Sequence, residues 1–416
     1  MKPKVLIVNK FYYPRGGDCT VAMQLEQLLT AAGCKTAIYA MQYPENVETA
    51  WNSYFASRVD FGAGAAGKLR AVLRILGLGD IRRSFRRILD DFRPDVVHLH
   101  NIHSYLSPVL ASIAHRRGIR VVWTLHDYKL VCPSYSCLAD GKPCTDCIGN
   151  PRAILGKKCM KGSAAASALA WLEARRWNRR TLQNNVDVFV CPSAFMRQMM
   201  MRGGFDPGRL QIVSNCANAD AIAAITAQFA AEAAGNQSAG RPARQDYYCY
   251  IGRLSAEKGV EYLLQAASAL PYKLKVAGDG PLGAQLREKY ASAPNIEFVG
   301  KLDAAGVNAL LASARLSVIP SAWYENNPMS VIESLCQGTP VVGTEIGGIP
   351  ELIQTEGDES IAANGIVVAP FDADALAKGI EQAWNTASDH AAISARACRI
   401  FSPRRHLSAM LALYHS

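Results

Sequence analysis

The sequence alternates between short apolar runs and longer stretches with helical periodicity, and this alternation continues through most of its 416 residues. Apolar runs at residues 5–8, 96–99, 121–125 and 186–190 are each followed by a polar loop and a helix-like stretch. Continuous apolar runs are typical of strands that are buried on both faces. The pattern therefore predicts an α/β fold class, in which parallel sheets are doubly wound with helices in Rossmann-like domains.

The alternation occurs in two series, which predict two domains. A first domain is expected over residues 1–220 and a second over residues 247–400, with a linker or hinge at residues 221–246. The linker begins as an Ala-rich helix and continues into a stretch with Gly, Ser and Pro. A single hydrophobic core rarely grows beyond about 250–300 residues, so the length also favours two domains. Two doubly wound domains joined by a hinge predict an interdomain ligand cleft between the carboxyl ends of both sheets.

Charge is distributed unevenly along the chain. Residues 1–220 carry 30 Lys and Arg against 16 Asp and Glu, whereas residues 221–416 carry 15 against 19. The basic half suits an anionic membrane surface or a phosphorylated acceptor. Nucleic acid is not expected as a partner, because no aromatic residues are interleaved with the arginine clusters in a nucleic-acid motif. For any single cluster, a solvated helix face is the simpler alternative.

Residues 68–89 combine six arginines with many apolar residues. A helix of this composition suits an anionic membrane interface, but its apolar side would equally suit packing on the sheet. No apolar stretch reaches the roughly 20 residues that are needed to cross a bilayer, and the amino terminus lacks the regions of a secretory signal. We therefore expect a cytoplasmic protein, peripheral on the inner face of the plasma membrane if the basic half binds lipid.

Five of the twelve cysteines are concentrated in one loop: Cys132, Cys137, Cys144, Cys147 and Cys159. Disulfides are not expected in a cytoplasmic chain. Cys-x-x-Cys with further cysteines nearby is typical of a structural zinc site. Only Cys144 and Cys147 have the spacing of a tight chelating pair, so the alternative of buried thiols stays open beside the zinc hypothesis.

Two glutamates, Glu325 and Glu333, lie in a passage whose pattern predicts a strand, a loop and a helix. Glu325 follows the strand, and Glu333 lies about two turns into the helix at roughly 3.6 residues per turn. Proline is favoured in the first turn of a helix, and exposed amides there open toward an anion. The residues at this helix start are Asn327, Pro328, Met329 and Ser330.

Further candidates follow other predicted strands. Arg253 and Lys258 supply two cations in a loop that begins with Gly252, and cations together with backbone amides suit an anionic ligand. Glycines that allow close backbone approach follow two more strands: Gly16, Gly17, Gly278 and Gly280.

Histidines also follow two of the strands. His126 lies at a strand end, where functional side chains are common. For the group His98, His100 and His103, metal ligation, lining of an acceptor site and plain packing are the alternatives.

These motifs resemble, over nearly the whole chain, the retaining glycosyltransferases of family 4, also called group 1. The resemblance rests on the glutamate pair with its glycine and proline context, on Arg253 and Lys258, and on the Gly-x-Gly-Pro turn at 278–281. It implies a GT-B fold with a closing helix, from about residue 401, that crosses back to the first domain. It also implies catalytic roles for Glu325 and His126 and donor contacts for Arg253, Lys258, Glu333, the four glycines and residues 327–330.

The family uses nucleotide sugars, so the resemblance implies transfer of a hexose from a UDP- or GDP-sugar. The implied acceptor is a glycan or a polyprenyl-linked glycan in bacterial surface polysaccharide synthesis, and no cofactor is required for catalysis. A nucleotide-sugar epimerase or a phosphorylase of the same fold would need its own carboxylates or cofactor lysine, for which we find no signature. A non-catalytic glycan-binding protein would have no reason to combine these charged residues.

Overall fold

The computed structural model describes residues 2–59, 64–235, 242–353 and 364–415. The chain divides into two compact units, each of which contains one six-stranded parallel sheet. The first unit comprises Met1–Asp140, Cys144–Ser214 and His406–Ser416, and the second comprises Gly141–Pro143 and Asn215–Arg405. The predicted fold class is confirmed, because both sheets are parallel and alternate with helices along the chain.

The first sheet has the strand order β2-β1-β3-β4-β7-β8. Its strands are β1 (Lys4–Val8), β2 (Lys35–Tyr39), β3 (Val96–Leu99), β4 (Arg120–Thr124), β7 (Val188–Cys191) and β8 (Leu210–Ile212). Two very short strands, β5 (Leu138–Ala139) and β6 (Lys142–Pro143), lie between β4 and β7 along the chain. The helices of this part are α1 (Gly17–Ala31), α2 (Ala65–Ile75), α3 (Ile81–Phe92), α4 (Val109–His115), α5 (Ala153–Lys157), α6 (Ala164–Arg176), α7 (Arg179–Gln183) and α8 (Ala194–Arg202).

The second sheet has the strand order β11-β10-β9-β12-β13-β14. Its strands are β9 (Gln245–Ile251), β10 (Lys273–Ala277), β11 (Ile296–Gly300), β12 (Ala314–Ile319), β13 (Val341–Thr344) and β14 (Gly365–Val368). The helices are α9 (Ala219–Ala233), α10 (Val260–Ser268), α11 (Gly283–Lys289), α12 (Ala304–Ser313), α13 (Met329–Cys336), α14 (Ile349–Ile353), α15 (Ala373–Asn385) and α16 (His390–Ile400), followed by the closing helix α17 (Pro403–His415).

Each sheet has a point at which the strand order reverses direction. In the first unit this point lies between β1 and β3, and in the second it lies between β9 and β12. In open parallel sheets ligands bind outside the carboxyl ends of the strands at such a switch point. The two strand orders therefore indicate where each unit would bind a ligand.

Three strands of the two large sheets were missed by the sequence analysis: β2, β8 and β14. All three lie at the edge of a sheet. An edge strand has one neighbour only, and these strands are partly exposed, with every residue of β14 only half-buried. Gln211 interrupts the apolar run of β8, whereas β2 and β14 contain the short apolar runs 37–39 and 366–368, which the sequence analysis did not assign to strands.

The boundaries of the units differ from the predicted ones at two places. Helix α9 lies where the linker was expected, and it belongs to the second unit because Ile225 is buried there together with Leu335 and Phe401. The closing helix is part of the first unit from His406 onward, where Met410 and Tyr414 pack into the core of its sheet. Residues 236–241 of the predicted linker lie outside the described residues.

The basic segment at 68–89 forms most of α2 and α3. The apolar side of α3 is buried, with Phe85 and Ile88 fully enclosed, so packing on the sheet accounts for that face. Arg83, Arg86 and Arg87 on its other side are exposed. Among the described residues, every helix is too short or too polar to cross a membrane.

Candidate functional site

The loops that follow β9 and β12 meet at the switch point of the second unit. The first loop carries Lys258, and the second carries Glu325. The ammonium of Lys258 donates a hydrogen bond to Oε1 of Glu325 at 2.6 Å. The hydroxyl of Ser321 donates to the same oxygen at 2.8 Å. Two charged residues that are 67 positions apart in the sequence thus form one unit at the ligand-binding edge of the sheet.

Glu325 is held in its ionised form. Its side chain is only 9% exposed, and burial by itself raises the pKa of a carboxyl group. The charge of Lys258 and its hydrogen bond outweigh this effect, with a smaller contribution from Ser321, so the pKa of Glu325 lies below its usual range. At neutral pH the group is a carboxylate that can accept hydrogen bonds.

Two glycines allow close backbone contacts around the Lys258–Glu325 ion pair. A Cβ on Gly259, which has φ +66°, would lie 1.8 Å from the carbonyl oxygen of Pro320. A Cβ on Gly347, which has φ +63°, would lie 2.2 Å from the carbonyl oxygen of Glu325. The amide of Gly348 donates to that same carbonyl oxygen at 2.7 Å. Larger residues at Gly259 or Gly347 would displace the loop that carries Glu325.

The turn with Gly278 and Gly280 packs against the loop that follows β9. A Cβ on Gly278 would lie 1.9 Å from the carbonyl oxygen of Gly252, and one on Gly280 would lie 2.5 Å from that of Leu254. The sequence analysis explained both glycines by a close approach of the nucleotide. Contact between neighbouring loops is already a sufficient reason for glycine here, and the nucleotide contact stays a prediction.

Glu333 lies on α13, the helix that follows the Glu325 loop. Burial raises the pKa of Glu333 to about 7, so this carboxyl group changes its protonation near neutral pH. Met329 and Ser330 form the first turn of α13 and are partly exposed. Asn327 is buried, and its side-chain oxygen accepts a hydrogen bond from the amide of Asn215 at 2.9 Å.

Arg253 lies in the same loop as Lys258, directly after β9. Its side chain is exposed, while its carbonyl oxygen accepts a hydrogen bond from the hydroxyl of Tyr250 at 2.9 Å. An exposed guanidinium at the carboxyl end of a central strand is accessible to an anionic ligand. The backbone of the residue is therefore fixed, and the side chain faces solvent.

In the first unit, the predicted residue His126 shares the carboxyl-end edge of the sheet with Asp18 and Asn101, which the sequence analysis did not assign. Asp18 lies in the first turn of α1, after β1, while Asn101 follows β3 and His126 follows β4. The side-chain amide of Asn101 donates a hydrogen bond to Oδ2 of Asp18 at 2.9 Å. Burial opposes the charge of Asp18, but Lys10, His126 and Asn101 together hold the pKa of this carboxyl group below its usual range. The structure therefore places one carboxylate next to His126.

Gly16 and Gly17 begin α1 beside this group. Gly16 is extended, with φ −168°, and neither glycine has a positive φ. Of the described residues, none lies within 4 Å of a Cβ placed on Gly17. The start of the helix therefore leaves room for a ligand close to its backbone amides.

The crowded histidines separate into two different environments. His98 bonds through Nδ1 to the hydroxyl of Tyr414 at 2.6 Å and through Nε2 to that of Thr124 at 2.8 Å. The ring of His103 lies on that of Trp123, with 5.1 Å between the centroids. These contacts favour the packing alternative over metal ligation for His98 and His103. His100 instead contacts His126, as described below.

The cysteine loop brings several thiols together. The thiol of Cys132 is within hydrogen-bonding reach of the thiols of Cys137 and Cys147, and Cys144 and Cys159 are close enough to act on these groups electrostatically. All five are free cysteines. Within the described ranges, however, no three His, Cys, Asp or Glu side chains are spaced as they would be around a metal ion. Structural zinc therefore stays a prediction.

Four residues at these sites were missed by the sequence analysis or noted without a role: Ser321, Gly347, His100 and Asn101. Two signals could have indicated them. His100 and Asn101 directly follow the buried strand β3, where polar residues are expected to face the ligand-binding edge. Gly347 lies in a Gly-Gly pair that directly precedes α14. Ser321 carries no signal of its own, because a lone serine after a strand is common.

Two sequence families match this chain. Residues 15–221 match the family described as "Glycosyltransferase Family 4", and residues 245–386 match the family described as "Glycosyl transferases group 1". The two matches do not overlap, and each falls almost entirely within one of the two units.

Curated relatives are similar to the chain over different lengths. A protein of Klebsiella pneumoniae, described as an uncharacterized 42.6 kDa protein in the cps region, is 24% identical over 84% of this chain and 87% of its own length. Alpha-D-kanosaminyltransferase of Streptomyces kanamyceticus is 30% identical over 32% of this chain and 35% of its own length. A GDP-mannose-dependent phosphatidylinositol dimannoside mannosyltransferase of Mycobacterium tuberculosis is 35% identical over 26% of this chain and 29% of its own length.

Solved structures are similar over the full chain. Anabaena Alr3699/HepE in complex with UDP and glucose superimposes with a TM-score of 0.65 at 16% identity, covering 99% of this chain and 98% of that one. Sucrose-phosphate synthase of Thermosynechococcus elongatus superimposes with a TM-score of 0.66 at 18% identity and the same coverage. At such identities these likenesses show the shared GT-B fold. Together with the two family matches, they show that this chain belongs to the group 1, or family 4, glycosyltransferases.

Proposed function

We propose that this protein is a retaining glycosyltransferase that moves a hexose from a UDP- or GDP-sugar to a glycan or lipid-linked acceptor in bacterial surface polysaccharide synthesis. The observation that carries the proposal is the contact between Lys258 and Glu325 at the switch point of the second unit. It combines a cation suited to a diphosphate with a carboxylate suited to sugar hydroxyls at an edge where parallel sheets bind ligands.

The diphosphate of the donor would be bound by the loop that follows β9. Arg253 is exposed there, and the side chain of Lys258 is 27% exposed, so both cations can approach phosphate oxygens. Negative charge on the leaving diphosphate increases as the glycosidic bond breaks. Cations placed beside it therefore stabilise the transition state more than the bound donor.

Glu325 would contact the sugar, and the family resemblance implies a sugar contact for His126 as well. Glu325, held as a carboxylate by Lys258, accepts hydrogen bonds from sugar hydroxyls and so orients the ring. For retention, the acceptor oxygen attacks the anomeric carbon on the face from which the diphosphate leaves. The proton of the acceptor hydroxyl passes to a leaving phosphate oxygen, so the products are the glycosylated acceptor and the nucleoside diphosphate. No covalent enzyme intermediate is required.

The ribose would be bound by Glu333. Burial keeps this carboxyl group protonated up to a pKa of about 7. Two ribose hydroxyls that donate to it would favour the ionised form. Nucleotide binding should therefore be accompanied by release of a proton from Glu333 near neutral pH.

The names of several relatives support the donor and pathway parts of the proposal. One relative is GDP-mannose-dependent, and one structural neighbour contains UDP and glucose. Others are a protein of a cps region, a D-rhamnosyltransferase of Pseudomonas aeruginosa and a putative teichuronic acid biosynthesis glycosyltransferase of Bacillus subtilis. The exposed arginines of α3 support an acceptor that is anchored in an anionic membrane.

The proposal is tested with a panel of UDP-, GDP-, ADP- and TDP-sugars and no acceptor. One UDP- or GDP-hexose should raise the melting temperature and be hydrolysed slowly, while the R253A variant should lose most of this stabilisation. The anomeric configuration of a product formed with a suitable acceptor should match that of the donor. An inverted product would exclude the retaining assignment, and a panel without any binding sugar would exclude the donor assignment.

A further inference from the structure

His126 is hydrogen-bonded to a second histidine. Nδ1 of His100 lies 2.9 Å from Nε2 of His126. The two ring planes are inclined by only 18°, and the ring centroids are 5.2 Å apart. Since the nitrogens are much closer than the centroids, the rings meet edge to edge, as an in-plane N–H···N hydrogen bond requires. One ring donates this bond and the other accepts it.

Both rings are neutral at physiological pH. Burial lowers the pKa of His126 to about 4, and it lowers the pKa of His100 well below the usual value. The ring of His98 is stacked on that of His100 with 4.5 Å between centroids, so a cation at His100 would also lie against another imidazole. A neutral imidazole carries one proton, and therefore each ring has one donor and one acceptor nitrogen.

The direction of the bond follows from the other nitrogen of His100. Nε2 of His100 is buried and has no hydrogen-bond partner among the described residues. A buried donor without a partner is rarer in native structures than a buried acceptor without one. The proton of His100 therefore resides on Nδ1, from which it is donated to Nε2 of His126. His126 must then carry its own proton on Nδ1.

The backbone holds His100 in this orientation. Its amide donates to the carbonyl oxygen of Val8 at 2.9 Å, and its carbonyl oxygen accepts from the indole of Trp123 at 2.8 Å. His100 follows β3 and His126 follows β4, and these strands are neighbours in the sheet. The pair is thus fixed by three adjacent strands, and the tautomer of His126 is set before any ligand binds.

We infer that His100 is a positioning residue, which holds His126 as the Nδ1–H tautomer so that this ring offers a hydrogen-bond donor to a sugar oxygen. The inference rests on the proposed function for the role of His126, but the tautomer itself does not. An imidazole free to exchange tautomers would present a lone pair at Nδ1 part of the time, and an oxygen acceptor would then be repelled.

The tautomer is measured in donor-free protein whose histidines are labelled with ¹⁵N. Two-bond ¹H–¹⁵N correlations distinguish a protonated Nδ1 from a protonated Nε2, and the signals of His126 are identified by their loss in H126Q. Wild-type protein should show protonated Nδ1. In H100L, which lacks the donor, His126 should show a mixture of tautomers. In H100N, whose amide nitrogen takes the place of Nδ1, the wild-type pattern should return.

Activity gives an independent measurement. H100L should lower kcat about tenfold, which corresponds to one lost hydrogen bond, and should leave the KM for the donor nearly unchanged. H100N should recover most of the rate. H103L is the matched control, because it removes a half-buried histidine close to β3 whose ring packs on Trp123. It should leave the tautomer of His126 as in the wild type.

The outcomes separate the inference from the proposed function. A protonated Nε2 in wild-type His126, or an unchanged tautomer and kcat in H100L, would overturn the positioning role. The wild-type and H100N spectra decide the matter even if H100L does not fold. If the tautomer behaves as expected but no nucleotide sugar is used, the positioning role stands and the proposed function is wrong.

Discussion

Lys258 and Glu325 form an ion pair in which a partly exposed ammonium lies 2.6 Å from a buried carboxylate oxygen. The two residues depend on each other unequally. Removal of Lys258 leaves a buried charge without its counterion, whereas removal of the charge at Glu325 leaves an ammonium that is 27% exposed to solvent.

The first prediction concerns this asymmetry. K258M should lower the free energy of unfolding by about 1–3 kcal/mol, because the Glu325 carboxylate loses its partner in a buried site. Adding E325Q to K258M should restore part of the loss, since the unpaired charge is then gone. Urea unfolding of the wild type, both single variants and the double variant measures the coupling. Strictly additive effects would show that the ion pair contributes nothing to stability.

The second prediction separates the two glutamates by their effects on binding and turnover. Glu325 is proposed to contact the transferring sugar, so E325Q should lower kcat about 10- to 100-fold and leave the affinity for UDP or GDP nearly intact. Glu333 is proposed to contact the ribose, so E333Q should mainly weaken binding of donor and free nucleotide. Calorimetry and initial rates measure both. The reverse pattern would mean that the donor lies in the opposite orientation.

The third prediction concerns the pH dependence that Glu333 gives to stability. Its pKa is raised from 4.5 to about 7 in the folded protein, so the folded state binds more protons than the unfolded state between these values. The resulting stability is complete below pH 4.5 and is lost as the pH rises through 7, up to about 3 kcal/mol in total.

Urea unfolding at about pH 5 and about pH 8 tests this dependence. The midpoint of the wild type should fall more than that of E333Q between the two pH values. E345Q, at an exposed glutamate of the same unit, serves as the control and should behave like the wild type. Equal pH dependence in E333Q and the wild type would show that Glu333 ionises normally.

The fourth prediction concerns the cysteine loop. If the loop binds zinc, anaerobically purified protein should contain about one equivalent of metal per chain. C132S, at the thiol that contacts both Cys137 and Cys147, should lose the metal and destabilise the loop. C34S, at a buried cysteine outside the loop, should keep it. Protein that contains no metal would leave the five residues as free thiols, of which three are buried.

The fifth prediction concerns the exposed arginines of α3. Binding to vesicles with anionic lipid should exceed binding to neutral vesicles and should weaken with salt. The R83E/R86E/R87E variant should bind anionic vesicles about 100-fold more weakly, at about 1 kcal/mol per basic residue. Arg82 is left unchanged because it bonds to the carbonyl oxygen of Gly77.

Its matched control is R399E/R404E/R405E, which reverses three arginines of α16 and α17. Hydrolysis of the donor should be unaffected in the α3 variant and the control. If both triple variants lose vesicle binding equally, overall charge rather than the α3 surface is responsible. If neutral and anionic vesicles bind alike, the acceptor is not recruited through membrane charge.

The sequence alone was sufficient to predict the fold class and the elements that carry the candidate site. The central strands are buried on both faces and therefore appear as continuous apolar runs, and the turns after them contain the glycines that close loop contacts require. Of the edge strands that were missed, β8 is interrupted by Gln211, while β2 and β14 contain short apolar runs that the sequence analysis did not assign. The helix α9 was assigned to a linker because its contacts in the second unit come from residues far along the chain, such as Phe401.

Only the tertiary structure decided which side chains act on each other. Lys258 meets Glu325, and His100 meets His126, because neighbouring strands bring their carboxyl-end loops together, and sequence spacing carries no record of this proximity. Spacing also does not show why positions 278 and 280 must be glycine. The reason is that a side chain at either position would collide with the neighbouring loop after β9. The ionisation states of the two glutamates could not be predicted from the sequence either. Glu325 is buried beside the cation of Lys258, which lowers its pKa, whereas Glu333 is buried without a cation, which raises its pKa.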